Sequence, residues 1–132
     1  MDFKLSGKSA LVTGSTVGIG FAIASELARE GVKVVINGRS AAGVEKAVAR
    51  LRGEVAGADV TGVAADLGSM AGVEQLIAAC PRVDVLVNNL GIFDPAPFES
   101  IADSEWQRFF EINVMSGVRL SRHYLPQMKA AN

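Results

Sequence analysis

The sequence TGSTVGIG, residues 13–20, places three glycines within seven positions, at Gly14, Gly18 and Gly20. The residues before it, KSALVTG, are apolar and β-branched and predict a short buried strand. The residues after it repeat apolar side chains at helical spacing and predict a helix that ends at Gly31. A turn from a strand into a helix presents free backbone N–H groups and the positive end of the helix dipole, so it predicts an anion site.

Each glycine has a separate use in such a turn, because a residue without Cβ accepts unusual backbone angles and close approach. Gly14 lets the chain turn out of the strand, Gly18 lets the backbone come close to a pyrophosphate, and Gly20 lets the helix pack tightly on the sheet. The alternative is an ordinary glycine-rich turn without a ligand. No lysine followed by serine or threonine completes the stretch, which excludes a nucleoside-triphosphate loop.

The rest of the chain alternates strands and helices joined by short connections. Further strands are predicted at residues 32–39, 59–67 and 83–91, and further helices at residues 41–53, 69–80 and 103–129, with Gly53 ending the second helix. The continuous apolar run in VKVVIN is typical of a parallel strand covered on both faces. This alternation predicts an α/β fold with a doubly wound parallel sheet in three α/β/α layers, truncated after the fourth strand and the following helix.

Composition narrows the classes of function. The 132 residues are 49% hydrophobic and 20% charged, with a net charge of −1, which predicts one globular domain over residues 1–132. No basic block is present, so nucleic-acid binding is not expected. No apolar run approaches a membrane span and no signal-peptide core is visible, so we expect a cytoplasmic protein without membrane association. A single cysteine, Cys80, excludes an intrachain disulfide and a cysteine-based zinc site, and no metal site is predicted.

Four landmarks in order along the chain carry a resemblance to a known family. TGxxxGIG resembles the cofactor loop of the short-chain dehydrogenases/reductases. NNLG at residues 88–91 is similar to the NNAG motif of that family, with Leu90 in place of alanine. Asp66 in AADL matches its adenine-contacting aspartate, and Asn113 in FFEINVMSG matches its catalytic asparagine. The resemblance implies a Rossmann-like domain, a nicotinamide cofactor, and hydride transfer between the nicotinamide and a small-molecule alcohol or carbonyl.

The end of the second predicted strand bears on which nicotinamide cofactor binds. A site that prefers NAD places an acidic residue here to bind the ribose hydroxyls, but Gly38 stands at that place. Arg39 follows, and a guanidinium can bind a 2′-phosphate through two hydrogen bonds. NADP(H) is therefore favoured over NAD(H), the alternative being that Arg39 is a solvated charge.

The residues expected to bind the cofactor come from all four strand ends. They are Gly14, Ser15, Thr16, Gly18, Ile19, Gly20, Arg39, Asp66, Leu67, Asn89 and Gly91. The hydroxyls of Ser15 and Thr16 are interpreted as donors to phosphate or ribose. Asp66 is interpreted as an acceptor for the adenine amino group, with a helix cap as the alternative. Of Asn88 and Asn89, one is expected to tie neighbouring strands and the other to lie beside the adenosine ribose.

The catalytic set of the family is largely absent from this sequence. The resemblance implies an asparagine, a serine and a Tyr-x-x-x-Lys pair on one helix face. The single tyrosine, Tyr124, is followed four positions later by Met128, and it shares a helix with Asn113. We therefore interpret Tyr124 as a packing residue, with Asn113 as the only catalytic residue present. The chain by itself is predicted to be inactive.

The last helix is expected to carry an interface. The resemblance implies that this helix packs against its counterpart in a partner subunit, giving a homo-oligomer, a dimer or tetramer. Leu120, Tyr124 and Met128 form a stripe at i, i+4 spacing that suits such a contact. Trp106, Phe109 and Phe110 are interpreted as core or interface residues rather than as substrate-specific groups. Three interpretations of the whole remain open: part of an NADP(H)-dependent oxidoreductase, a short nucleotide-binding module without activity, and an interaction scaffold with the same fold.

Overall fold

Four parallel strands form one sheet in the order β3-β2-β1-β4 in the computed structural model, which describes residues 1–131. The strands are β1 (Ser9–Val12), β2 (Lys33–Gly38), β3 (Val60–Ala64) and β4 (Val85–Val87). At the centre, Leu11 is in register with Val35 on one side and Leu86 on the other. Strand order therefore reverses between β1 and β4, which is where ligands bind in open α/β sheets.

Helices cover both faces of this sheet. The helices are α1 (Gly18–Arg29), α2 (Ala41–Glu54), α3 (Met70–Ala79), α4 (Asp103–Phe110) and α5 (Ser116–Ala131). Ala10 and Val12 pack with α1 and α2, whereas Leu11 packs with α3 and α5, as alternating side chains of a strand must. The predicted doubly wound, three-layer α/β/α fold is confirmed.

The two predicted glycine stops have different outcomes. Gly31, with φ +79°, follows α1, and the N–H groups of Gly31 and Val32 donate to the carbonyls of Ala28 and Leu27. This pattern is a Schellman motif, so the predicted end of the first helix is confirmed. The predicted stop at Gly53 is wrong, because α2 runs through Gly53 to Glu54. The left-handed conformation is taken four residues later, at Gly57 with φ +73°.

The single helix predicted over residues 103–129 is also corrected. The chain forms α4, then a π-helical turn at Glu111–Met115, and then α5, which extends to Ala131. A π-turn widens the helix by one residue per turn and therefore shifts every later side chain around the axis. Helical periodicity alone does not reveal such an insertion, because the apolar spacing on each side of it still looks helical.

The stripe predicted to contact a partner is internal. Leu120 and Tyr124 are fully buried against α3, and Met128 packs on the same cluster. The Tyr124 hydroxyl donates to the carbonyl oxygen of Cys80, and burial raises the pKa of this phenol well above its usual range. The packing role predicted for Tyr124 is confirmed, while the use of this stripe as an interface is wrong.

Two of the aromatic residues interpreted as core or interface do not lie in the core, and the interface alternative stays a prediction. Trp106 and Phe110 on α4 each expose 53% of their surface.

Among the described residues, no helix is long and apolar enough to cross a bilayer. The part of the chain that the structure describes also contains no group of three or more potential metal-ligating side chains.

The start of α3 shows how tightly the strand ends are packed. Ser69 caps α3 by accepting a hydrogen bond from the Gly72 N–H at 3.2 Å. A Cβ on Gly72 would overlap the carbonyl oxygen of Asp66. Only glycine at position 72 therefore allows α3 to begin directly against the end of β3.

Replacing Gly72 by alanine should lower the free energy of unfolding by about 3 kcal/mol, because the backbone of residue 66 must move to make room. The matched control is Gly53→Ala in α2, where an added Cβ meets no atom within 4 Å. That control should raise stability by about 0.5–1 kcal/mol, as alanine is the better helix former. Urea unfolding of the two variants checks the pair, and equal stabilities would contradict this packing argument.

Candidate functional site

One groove lies across the carboxyl ends of the strands, with a volume of about 230 Å³. Six of the residues predicted to bind the cofactor line this groove, namely Gly14, Thr16, Arg39, Asp66, Leu67 and Gly91. They come from four separate segments of the chain, each of which directly follows a strand. The fold therefore brings together residues that the sequence spreads over nearly 80 positions, as expected for a site at a switch point.

The three glycines of the turn between β1 and α1 meet three different requirements: unusual backbone angles, open backbone and close packing. Gly14 has φ +58° and Gly18 has φ +62°, which only glycine adopts without strain. A Cβ on Gly18 would meet nothing within 4 Å, so the backbone is open on this side. A Cβ on Gly20 would lie 2.5 Å from the amide nitrogen of Asn89 and overlap the Gly14 carbonyl. Gly20 therefore lets α1 begin against its own turn and against the end of β4.

The N-terminus of α1 differs from the starts of α2 and α3. Ser40 and Ser69 cap α2 and α3 with their side chains, whereas the capping position of α1 is Val17, which provides no side-chain acceptor. Val17 and Ile19 are 71% and 76% exposed beside this end. The first-turn N–H groups of α1 are therefore left for an acceptor from outside the helix.

Ser15 does not face the groove. Its side chain is fully buried, and its hydroxyl donates to the Val12 carbonyl at 2.7 Å and accepts from the Asn37 N–H at 3.0 Å. The Ser15 hydroxyl thus holds the end of β1 to β2. Of the two hydroxyl residues singled out in the turn, only Thr16 lines the groove.

Asn37 is the residue that sequence reasoning missed. Its side-chain oxygen accepts from the Gly14 N–H at 3.2 Å, and its amide nitrogen donates to the carbonyls of Val63 and Ala65 at 3.2 and 3.3 Å. Because Asn37 is 1% exposed, these bonds satisfy an amide that would otherwise be buried at a high cost. The available signal was a polar residue at the end of the apolar strand VKVVIN.

Asn89 performs the same task on the other side of β1. Its amide nitrogen donates to the carbonyls of Thr13 and Gly14, both at 3.0 Å, and its N–H donates to the Thr13 hydroxyl. Asn89 is therefore the residue that ties the strands. The side chain of Asn88 instead donates to the Ser121 hydroxyl of α5 at 3.1 Å.

Asp66 and Arg39 stand on the exposed rim of the groove. Asp66 accepts from the Gly68 N–H at 2.9 Å, and since Ser69 caps α3, the alternative role of Asp66 as that helix cap is excluded. Leu67 is 1% exposed and fills the wall beside it. Within residues 1–131, Arg39 makes no ion pair, so its guanidinium remains available to an anion.

Asn113 lies inside the π-turn, beside the groove. Its side-chain oxygen accepts from the Ile92 N–H at 2.7 Å, and its amide nitrogen donates to the Ile92 carbonyl at 3.0 Å. A Cβ on Gly91 would lie 3.4 Å from the same side-chain oxygen. Asn113 therefore fixes the backbone that follows β4. It lies in a π-turn, and π-turns occur frequently at functional sites.

Comparison with known proteins agrees with this geometry. The family model for short chain dehydrogenases matches residues 8–132. The chain is 55% identical to the uncharacterised oxidoreductase YvaG of Bacillus subtilis over 97% of this chain and 48% of that protein. It is 40% identical to human dehydrogenase/reductase SDR family member 2, mitochondrial, over 95% of this chain and 46% of that protein.

Solved structures give the same result. L-Sorbose reductase from Gluconobacter frateurii, in complex with NADPH and L-sorbose, superposes with a TM-score of 0.90 at 36% identity, covering 99% of this chain and 51% of that one. The NADP complex of Pseudomonas aeruginosa RhlG gives 0.85 at 35% identity, covering 96% and 50%. The chain thus spans about half the length of the relatives it matches. With its family model, its relatives and its strand-end groove in agreement, the chain belongs to the short-chain dehydrogenase family of oxidoreductases.

Proposed function

We propose that this chain binds NADP(H) in the strand-end groove and forms the cofactor-binding part of a cytoplasmic oxidoreductase acting on a small alcohol or carbonyl compound. The observation that carries the proposal is the convergence of six predicted cofactor residues, from four segments, on one groove. Two solved relatives were crystallised with NADPH or NADP, which supports a nicotinamide cofactor here. The convergence also favours this proposal over a scaffold that has no use for such a groove.

The groove offers each part of a dinucleotide a group of the right chemistry. The open N-terminus of α1 and the Gly18 backbone suit a pyrophosphate, because uncapped N–H groups and the helix dipole favour an anion. The Asp66 carboxylate accepts hydrogen bonds, as the amino group of adenine requires. When bound, the nicotinamide would supply the hydride donor or acceptor.

Arg39 favours the phosphorylated cofactor. Its exposed guanidinium lines the groove, and the neighbouring Asn37 and Gly38 carry no negative charge. Both N–H groups of the Asn37 side chain donate to backbone carbonyls and its oxygen accepts from the Gly14 N–H, and the residue is 1% exposed, so it adds no charge to bind a ribose. A 2′-phosphate would therefore find a cation at the end of β2 with no carboxylate among its neighbours in that strand.

Catalysis by this chain alone is not proposed. Asn113 is the one residue of the family's catalytic set in the sequence, and we assign it the family's role of helping to hold a water that carries protons. Tyr124 cannot act as the acid/base, because it is fully buried and its hydroxyl donates to the Cys80 carbonyl. The 132 residues should therefore bind the cofactor without transferring hydride.

The proposed homo-oligomer uses a different face of the last helix from the stripe indicated by the sequence. Val118 and Leu125 of α5 are 41% and 53% exposed, and Val114 of the π-turn is 44% exposed. Such exposed apolar residues are the part of this helix that a partner subunit would cover.

Replacing Arg39 by alanine should weaken NADPH binding about 10- to 100-fold, since a charged hydrogen bond contributes roughly 1.5–3 kcal/mol. NADH binding should change little. The matched control is Arg29→Ala at the far end of α1, which removes the same charge from an exposed site outside the groove. Isothermal titration calorimetry of both cofactors checks this prediction. Equal NADPH affinities for the two variants would contradict a role for Arg39 in binding NADPH.

Mixing the chain with NADPH and a panel of aldehydes and ketones should give binding without oxidation of the cofactor. The measurements are NADPH fluorescence on binding and the loss of reduced-nicotinamide absorbance over time. Turnover that disappears in a Tyr124→Phe variant with an unchanged melting temperature would show that the buried tyrosine does act in catalysis, against the proposal.

Introducing charge on the exposed face of α5, as Val118→Glu with Leu125→Glu, should convert the oligomer to monomer, because carboxylates cannot be buried unpaired in an apolar contact. Met70→Glu on α3 is the control, since Met70 is similarly exposed at 45% but lies on another helix. Sedimentation equilibrium gives the masses, and a monomeric parent chain would rule out the oligomer.

A further inference from the structure

We propose that Thr16 is a specificity-determining residue, whose methyl group keeps a carboxylate out of position 38 and so excludes recognition of the unphosphorylated cofactor. The inference rests on the proposed NADP(H) function and adds a second determinant to Arg39. It follows from the space around Gly38, at the end of β2, rather than from the charge of the groove.

Gly38 has no room for a side chain. A Cβ built there would lie 2.5 Å from Cγ2 of Thr16 and 3.3 Å from Cγ2 of Val44. The same Cβ would lie at an ordinary 3.6 Å from Cβ of Thr16. The severe contact is therefore with a single methyl group, and any residue other than glycine at position 38 requires that methyl to move.

Neither neighbour moves freely. Thr16 is β-branched and stiff about χ1, and its backbone follows Ser15, whose hydroxyl is anchored to β1 and β2. Val44 is 5% exposed, and its other methyl group already fills the place of a side chain at Gly62 of β3. Since Val44 is held between two strands, relief must come from the Thr16 side.

The chemical consequence concerns the ribose. A carboxylate at the end of the second strand binds the 2′- and 3′-hydroxyls of an unphosphorylated ribose and repels a 2′-phosphate. With glycine at position 38, beside the Thr16 methyl group, the end of β2 carries no carboxylate next to Arg39. Cofactor choice is therefore set jointly by a cation on the rim and by a methyl group in the β1–α1 turn.

The test is a set of double variants that either keep or delete the Thr16 methyl group. Gly38→Asp is combined with Thr16→Ser, which deletes only Cγ2; with Thr16→Ala, which deletes Cγ2 and the hydroxyl; and with Thr16→Val, which keeps the methyl group and replaces the hydroxyl by a second methyl. The single variants Gly38→Asp, Thr16→Ser and the milder Gly38→Ala complete the set. Melting temperature without cofactor, and NADH and NADPH affinity by titration, are measured for each.

Gly38→Asp alone should lower the melting temperature, lose NADPH affinity at least tenfold and gain no NADH affinity. Adding Thr16→Ser should recover most of the melting temperature, since only the milder 3.3 Å contact with Val44 remains, and raise NADH affinity about tenfold above the parent chain, as a new charged hydrogen bond would. Adding Thr16→Ala should recover the melting temperature equally, with a smaller gain in NADH affinity because the hydroxyl is lost. Adding Thr16→Val should restore neither. Gly38→Ala should show the same loss of melting temperature and the same rescue by Thr16→Ser.

Two results would overturn the inference. One is a gain of NADH affinity in Gly38→Asp alone at the parent melting temperature, and the other is equal behaviour of the serine and valine double variants. A parent chain that binds neither cofactor would instead refute the proposed function. In that case the melting temperatures still decide whether the Thr16 methyl excludes a side chain at position 38.

Discussion

Two amide side chains hold the ends of the parallel strands in one place, and the groove depends on them. Asn37 joins the β1–α1 turn to β2 and to the end of β3, and Asn89 joins the same turn to the end of β4. Strand ends carry backbone groups that no sheet partner satisfies, and burying these groups without hydrogen bonds is costly. The two amides satisfy them and, by doing so, set the position of the turn that lines the groove.

Close packing of backbone against side chain is the second constraint on this edge of the sheet. Gly20, Gly38 and Gly72 each stand where a Cβ would collide with a fixed neighbour. At Gly20 and Gly72 the neighbour includes backbone, so these positions determine how helices begin against strand ends. At Gly38 it is a side chain, so the constraint can be relieved by mutation and bears on specificity instead.

Much of the fold and part of the site could be predicted from local pattern. The apolar run VKVVIN and the glycine turns predicted parallel strands alternating with helices, because burial on two faces and helix termination leave direct marks in the sequence. The burial of the Ser15 hydroxyl could not be predicted in this way, because its hydrogen-bond partners Val12 and Asn37 come close to it only in the folded sheet. The direction of the Leu120 and Tyr124 stripe was missed because the π-turn before α5 does not alter apolar spacing.

By itself, the sequence determined the family, the alternation of strands and helices, and the residue types that stand at each strand end. These follow from short-range chemistry, namely glycine spacing, apolar periodicity, and the charge of Arg39 and Asp66. Only the tertiary structure decided which of these side chains line one groove and which hold neighbouring strands together. It also decided that the Thr16 methyl group occupies the place of a side chain at Gly38. The physical reason is that such contacts join segments more than twenty residues apart, and their geometry exists only once the sheet has formed.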